Sequence, residues 1–283
     1  MNLELLVRAT GLFCRTVALS QYDSSRAESD GLPIAESGAS KTPKKLPATD
    51  AIFDNLHRQS ARLNDGSIRR LSLDCKATVK LGAYARGGKT RGKHQASDHA
   101  RGCTEKYIPC GMVDEDSGAL HIHFGSAYKT SDFMVDTVQQ WWESLTPAQQ
   151  QRTQQIQLKM DHGPESSGVR TQFLNRMVAF VDTIGKPIHL LYYPPYHSKY
   201  NPVARGWGIL EQHWNGTQLK DVATMLAWAR SMTWKGLHPL VQLHQQVYQK
   251  GISLSKLAMK AVESRLERKP LLPKWDILIR PAA

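Results

Sequence analysis

The sequence has no long apolar run. No stretch approaches the ~20 consecutive apolar residues that would span a bilayer. The first twenty residues are interrupted by Glu4, Arg8 and Arg15, which excludes the continuous apolar segment of a secretory signal. The sequence therefore predicts a cytoplasmic protein with no membrane partner.

Cysteine is also scarce. The four cysteines are Cys14, Cys75, Cys103 and Cys110. No two of them have Cys-x-x-Cys spacing, so neither a disulfide framework nor a cysteine zinc site is indicated, and a reducing compartment fits best. His121 and His123 would share one face of a strand, which makes a metal pair conceivable. Without a further ligand motif, a surface pair on a hairpin is favoured.

Acidic residues are few for a chain of this size. The 283 residues contain 25 Asp and Glu against 37 Lys and Arg, which gives a net charge of +12. Such an excess favours a polyanionic partner, and nucleic acid before membrane. The alternative is that the charge only keeps the protein soluble. The apolar content of 41% is sufficient for a substantial core.

The order of predicted elements indicates one α/β domain. Residues 1–49 show no helical or strand period, so we expect an irregular, disordered N-terminal arm before a folded domain over residues 50–283. Hydrophobic periodicity predicts strands at 71–81, 107–113, 119–124, 156–160 and 188–193. It predicts helices at 50–63, from a cap at Ser131, from 167 to 184, at 202–214, and C-terminally at 221–234, 239–249 and 255–268. This order implies a mixed five-stranded sheet with helices on both faces and extra C-terminal helices.

Acidic residues converge at one edge of this predicted sheet. Asp74 lies in the first strand and Asp161 ends the fourth, while the helix from Pro202 follows the fifth. Working sites of open α/β sheets lie at the carboxyl ends of the central strands. Close carboxylates repel each other unless a cation lies between them, and Mg²⁺ is the natural occupant. Two such ions, ~4 Å apart, would hold the attacking and leaving oxygens of a phosphodiester.

Three segments resemble the DDE transposases of bacterial insertion sequences, with the ISAzo type as the closest group. They are Leu73-Asp74-Cys75-Lys76-Ala77-Thr78-Val79-Lys80, Asp161-His162-Gly163-Pro164-Glu165-Ser166-Ser167 and Pro194-Pro195-Tyr196-His197-Ser198-Lys199-Tyr200-Asn201-Pro202. The resemblance runs from about residue 43 to 279. It implies an RNase H-like catalytic domain whose acidic triad binds two Mg²⁺ (or Mn²⁺) ions. Asp74 and Asp161 match the first two acids and are the expected catalytic and metal-binding residues.

The third acid of that triad is missing. The family has a glutamate three residues after the asparagine of Ser-Lys-Tyr-Asn, and this chain has Ala204 there. Glu211 lies on the same helix face but ~10 Å further along, too far to share a metal with Asp161. Glu165 is nearer in sequence, yet the family has a glutamate there as well as the third acid. We therefore expect impaired catalysis, with replacement by Glu211 or Glu165 left open.

Basic residues surround the predicted site. Nine Lys and Arg but only two Asp lie between Arg69 and Arg101. Glycines in this run permit a close approach to phosphates; the alternative is a solvated face. The residues expected to bind DNA are Arg86, Lys89, Arg91, Lys93, Lys199 and Arg205. Trp207 and Trp214 are expected in the core instead of stacking on bases.

Two functions follow from the resemblance. The first is a DNA transposase, impaired at Ala204, that acts on transposon ends and target DNA in the bacterial nucleoid, with a homo-oligomeric state left open. The second is a non-catalytic, DNA-binding remnant of such an enzyme. The resemblance also implies a helix-turn-helix region before the catalytic domain, as members of this family look to carry one. Residues 1–49 offer nothing similar, so we expect the chain to correspond to the catalytic half alone. A cellular nuclease of the same fold is a more distant alternative.

Overall fold

Nine strands and seven helices make up the part of the chain that the computed structural model describes, residues 46–61, 65–83, 86, 105–126 and 128–282. The strands are β1 (Ile68–Cys75), β2 (Val79–Lys80), β3 (Lys106–Asp114), β4 (Leu120–Ser126), β5 (Gln155–Asp161), β6 (Ile188–Tyr193), β7 (Leu240–Leu243), β8 (Leu266–Arg268) and β9 (Asp276–Ile279). The helices are α1 (Thr49–Ser60), α2 (Ser131–Glu143), α3 (Pro147–Arg152), α4 (Thr171–Ile184), α5 (Pro202–His213), α6 (Val222–Ser231) and α7 (Lys256–Glu263). Most of the predicted N-terminal arm, residues 1–45, lies outside the described residues.

All nine strands belong to one mixed sheet. Its order is β7-β4-β3-β1-β5-β6-β9-β8, with β2 beside β3. The central five strands are β4-β3-β1-β5-β6: β1, β3 and β4 pair antiparallel, and β5 and β6 run parallel to β1. The predicted mixed α/β sheet is confirmed. It is larger than the five strands expected, because β7 extends one edge and β9 and β8 extend the other.

Helices cover both faces of the sheet, as predicted. Leu71 and Leu73 of β1 pack with α2 and α4 in one core cluster. Val113, Ile122 and other residues of β3 and β4 pack with α5 and α6 in a second cluster. Side chains of a strand point alternately to its two faces, so the residues between the buried leucines of β1 face α5. The site described below lies on that side.

Local sequence signals account for the helix ends. Thr130, and not Ser131 as predicted, is the N-cap of α2, and its hydroxyl accepts a hydrogen bond from Phe133 N. Asn201 caps α5 by accepting from Val203 N, and Pro202 occupies the first turn, where a missing N–H costs nothing. Gly185 ends α4 with φ 62°, a left-handed conformation that glycine adopts without steric cost.

No helix in the described ranges could cross a membrane. The longest, α4, has 14 residues, whereas a bilayer span needs ~20 apolar residues.

Two predictions for the C-terminal region are wrong. The helix expected at 239–249 is instead β7, which pairs in parallel with β4. The helix expected at 255–268 ends at Glu263, and the chain continues as β8, which pairs with β9. In both places, strand pairing with residues distant in the sequence overrides the local helix propensity.

The prediction that His121 and His123 form a surface pair is also wrong. His121 and His123 lie on β4 and are buried, with 7% and 1% exposure. His244, which follows β7, lies against His123, with His123 Nδ1 3.0 Å from His244 Nε2. Burial lowers the pKa of His123 to about 3, with further lowering by His244 and His121. The described residues contain no group of three metal-ligating side chains at these histidines or elsewhere.

Candidate active site

Two aspartates lie side by side at the centre of the sheet. Asp74 is in β1 and Asp161 is the last residue of β5. In this parallel pair, Leu73 is in register with Met160, so the next residue on each strand is one of the aspartates. Leu73 and Met160 are both buried in the core with α2 and α4, and the aspartates therefore face α5. The structure brings the two predicted acids together.

Burial raises the pKa of both carboxylates. Burial and the nearby Asp74 carboxylate raise the pKa of Asp161 from 3.8 to about 6, against the opposing effects of the Asn201 amide and the Lys129 ammonium. Burial also raises the pKa of Asp74, and a hydrogen bond from Trp207 Nε1 (3.0 Å) opposes this shift. Two desolvated carboxylates on neighbouring strands favour protonation, or a bound cation, over two free negative charges.

One oxygen of this pair lacks a protein partner. Asp161 Oδ1 is buried and has no hydrogen-bond partner among the described residues. A buried carboxylate oxygen normally accepts a hydrogen bond or binds a cation. Carboxylates are the ligands that Mg²⁺ and Mn²⁺ prefer. Asp74 and Asp161 therefore fit a divalent cation as two of its protein ligands.

Helix α5 is tied to the acid pair at two points one turn either side of Ala204. At its start, Asn201 Nδ2 donates to the carbonyl of Leu73, 3.0 Å away. Farther along, Trp207 Nε1 donates to Asp74 Oδ2 at 3.0 Å. Positions three apart lie on one face of a helix. Ala204 is therefore on the face of α5 that both contacts turn towards the aspartates.

A glycine in β3 permits this close approach of the helix. A Cβ at Gly111 would lie 2.6 Å from Trp207 Cζ2 and 2.7 Å from Val203 Cγ1. Such contacts are far inside van der Waals distance, so α5 could not pack this close over a larger residue. Gly111 pairs with Asp74 across β1 and β3. The same small residue therefore sets the distance between helix and acid.

The two glutamates considered as replacements are occupied elsewhere. Glu211 Oε1 lies 2.7 Å from Lys76 Nζ, and Glu211 Oε2 accepts from Trp214 Nε1 at 2.8 Å. Glu165 Oε2 lies 3.6 Å from Lys129 Nζ. In the described part of the chain no third acidic side chain joins Asp74 and Asp161 in a metal-sized group.

Comparison with known proteins assigns the chain to a family. The family described as the Rhodopirellula transposase DDE domain matches residues 28–281. The chain belongs to this family. Solved structures that resemble this DDE domain include three Mos1 transposase complexes. The "Mos1 transposase paired-end complex with left transposon end" is 11% identical over 68% of this chain and 58% of that one, with a TM-score of 0.44. The "pre-cleavage Mos1 transpososome" is 9% identical over 72% and 58%, also with a TM-score of 0.44.

A third neighbour is the "Mos1 mariner paired end complex with Mn", 11% identical over 66% of this chain and 55% of that one, with a TM-score of 0.43. The chain thus spans 55% to 58% of the length of these Mos1 transposase chains. No curated protein matches it.

Lys129 is a site residue of this DDE domain that sequence reasoning missed. It follows β4, and its ammonium lies near Glu165 and the acid pair. Although burial favours the neutral amine, Cys75, Glu165 and Asp74 raise the pKa of Lys129, which keeps it charged. Nothing in the local sequence marks this lysine, because only the pairing of β4 with β3 places it there. Asn201 and Trp207 were also missed as partners of the acids, although the Asn-Pro step did indicate a capping residue.

Of the six predicted DNA-binding residues, the structure describes three, and these differ in exposure. Lys199 lies on a 3-10 turn (Ser198–Tyr200) and Arg205 on α5, both exposed at the start of that helix. Arg86 is partly buried: its guanidinium donates to the carbonyl of Lys80 and lies 5.3 Å from the centroid of the Trp214 ring. Lys89, Arg91 and Lys93 lie outside the described residues. Trp207 and Trp214 are core residues, as predicted.

Proposed function

We propose that this DDE domain is of the type that cuts and joins double-stranded DNA with divalent metal, and that Ala204 impairs its catalysis. The observation that carries the proposal is the acid pair itself. Asp74 and Asp161 lie on neighbouring strands, and Asp161 Oδ1 is buried without a hydrogen-bond partner among the described residues. Ala204 lies on the helix that contacts the pair, between Asn201 and Trp207, and in our proposal a carboxylate at this position would complete the set.

The residues of this chain have separable tasks in the proposed site. Asp74 and Asp161 would hold the metal, and Trp207 fixes the orientation of Asp74 through its indole N–H. Asn201 holds the start of α5 against β1. Two bound ions would supply activation of the attacking water or 3′-hydroxyl and stabilisation of the leaving oxygen. Lys199 and Arg205 are placed to contact phosphates of the bound strand.

Ala204 weakens this arrangement because a methyl group ligates nothing. Mg²⁺ requires near-octahedral oxygen ligands and loses water reluctantly. With two carboxylates in place of three, water must take the vacant position, and less of the cation's charge is neutralised by the protein. We infer weak metal affinity and slow cleavage, with Mn²⁺ or Mg²⁺ as the ion.

The experiment restores the missing acid. Ala204→Glu should raise Mn²⁺-dependent nicking of supercoiled plasmid by roughly 10- to 100-fold, the range typical of groups that support a bound metal. Both residues favour helix, so folding should be little affected. Ala204→Gln is the matched control, since it adds the same bulk without charge. Asp161→Ala in the Ala204→Glu background should abolish the gain. Nicking by the parent chain equal to that of Ala204→Glu would contradict the proposed impairment.

The second candidate function is that of a DNA-binding remnant without catalysis, which the same Ala204 favours. It predicts salt-dependent DNA binding by the parent chain and no metal-dependent nicking, even in Ala204→Glu. The nicking assay therefore separates the two candidates.

A further inference from the structure

One surface loop is tied at both ends to the acid pair. This loop, residues 194–200, follows β6 and precedes α5. At its start, Tyr193 is in register with Asp161. At its end, Asn201 Nδ2 donates to the carbonyl of Leu73, the neighbour of Asp74. Whatever the loop presents to solvent therefore lies at the rim of the candidate active site.

The loop presents aromatic side chains. Tyr196 is 68% exposed and Tyr200 is 51% exposed. Exposed tyrosines together at a site rim are typical of a binding surface. Trp207 in α5 and Trp214 at its C-terminal end cannot form part of this binding surface, because they are only 6% and 0% exposed.

The backbone holds Tyr196 in an uncommon conformation. Its φ is +66°, in the left-handed region that bulky residues rarely adopt. Pro194 and Pro195 precede it with restricted φ. His197 N donates to Pro194 O at 3.2 Å, and His197 Nδ1 lies 2.7 Å from Pro195 O. These contacts close the turn and direct the tyrosine outwards.

Other rings support the second tyrosine. Phe53 of α1 lies edge-on to Tyr200, with ring centroids 4.8 Å apart, and edge-on to His197 at 5.3 Å. His197 stacks on Tyr200 at 6.1 Å. The Lys199 ammonium lies 5.4 Å from the Tyr200 ring. The aromatic surface is thus preorganised and carries a cation that suits a phosphate backbone.

We propose that Tyr196 and Tyr200 stack on unpaired nucleobases of the DNA strand whose phosphate lies at Asp74 and Asp161. Every base offers a flat π face, so such stacking needs no particular base identity. Lys199 and Arg205, both exposed beside the loop, match the phosphates that accompany those bases. This inference rests on the proposed function, because it requires DNA at the acid pair.

The stacking surface implies a preference for distorted DNA. Bases of an intact duplex are already stacked on each other, so their faces are unavailable. Bases beside a nick or in a bulge are free to stack on Tyr196. The full chain should therefore bind a duplex with a two-base bulge roughly tenfold more tightly than the same duplex fully paired, a difference within the range of one stacked base.

The test measures affinity and stacking separately. Fluorescence anisotropy gives the affinity of the full chain for both duplexes without metal, and 2-aminopurine in the bulge reports stacking through its quenching. Tyr196→Ala should lose the preference and the quenching while binding the paired duplex as before. Tyr196→Phe should retain both. Leu257→Ala is the control: Leu257 is 81% exposed on α7, and α7 packs through Val262 with α2 and α4, on the face of the sheet opposite the aspartates.

The possible failures are distinct. Equal binding of both duplexes by the parent chain would overturn the stacking inference and leave the proposed function intact. Retained quenching in Tyr196→Ala, or the same loss in Leu257→Ala, would also overturn it. Absence of DNA binding by the parent chain would refute the proposed function, and the inference with it. Melting temperatures verify that all variants fold. Because Tyr196 is exposed, we expect its replacement to leave the melting temperature unchanged.

Discussion

The raised pKa of Asp161 implies that the metal-free acid pair destabilises the fold, so Asp161→Asn should stabilise it. The shift from 3.8 to about 6 corresponds to about 3 kcal/mol at ~1.4 kcal/mol per pKa unit. Asp161 is only partly buried, and solvent screening reduces this to about 1–2 kcal/mol. The amide keeps the shape of the carboxylate and removes its charge, and so removes the cost.

The pH dependence follows from the direction of the shift. The folded state holds its proton more tightly than the unfolded state, so it binds more protons between pH ~4 and ~6. Stability of the parent chain therefore falls as pH rises through this window, and the full cost is present above the folded pKa of about 6. Asp161→Asn should unfold at higher urea concentration than the parent chain at pH 8, with the difference disappearing below the unfolded pKa of 3.8.

A second aspartate provides a control of opposite sign. Burial of Asp276 opposes ionisation, but hydrogen bonds from His189 (2.6 Å) and Asn55 (2.8 Å) prevail and lower its pKa. Asp276→Asn should therefore destabilise the protein at pH 8. Urea titrations with a chelator at pH 8 and pH 3.5 make the comparison. If Asp161→Asn proved no more stable than the parent chain at pH 8, the inferred cost of ionising the partly buried Asp161 beside Asp74 would be refuted.

Two further predictions concern metal and DNA. Trp207→Phe keeps an aromatic ring but removes the N–H that donates to Asp74. In the Ala204→Glu background, Mn²⁺ should therefore raise the melting temperature less when Trp207→Phe is also present. Trp214→Phe removes the N–H that donates to Glu211, and it should leave the Mn²⁺ effect unchanged. Replacing a set of four basic residues by alanine should flatten the slope of log affinity against log salt by up to ~4 units, at ~0.9 per phosphate contact. The four are Arg86, Lys89, Arg91 and Lys93. An unchanged slope would identify them as a solvated face.

The sequence by itself was sufficient for features with a short-range cause. Apolar residues at helical spacing located α4, and alternation located β5. The carboxyl end of β5 indicated Asp161, and an Asn-Pro step indicated the start of α5. The absence of an acid at Ala204 could be read only from the resemblance to a family, since periodicity does not say which side chain a helix should present.

Only the tertiary structure decided features that depend on distant partners. Residues 240–243 carry no local signal that separates helix from strand, and pairing with β4 settles it as β7. The segment after β7 places His244 against His123, and His121 and His123 are buried, although the sequence indicated a surface pair. Lys129 reaches the acid pair through the register of β4 on β3, and Trp207 reaches Asp74 across 133 residues of chain. These contacts are set by which strands and helices meet, and local sequence carries no record of that choice.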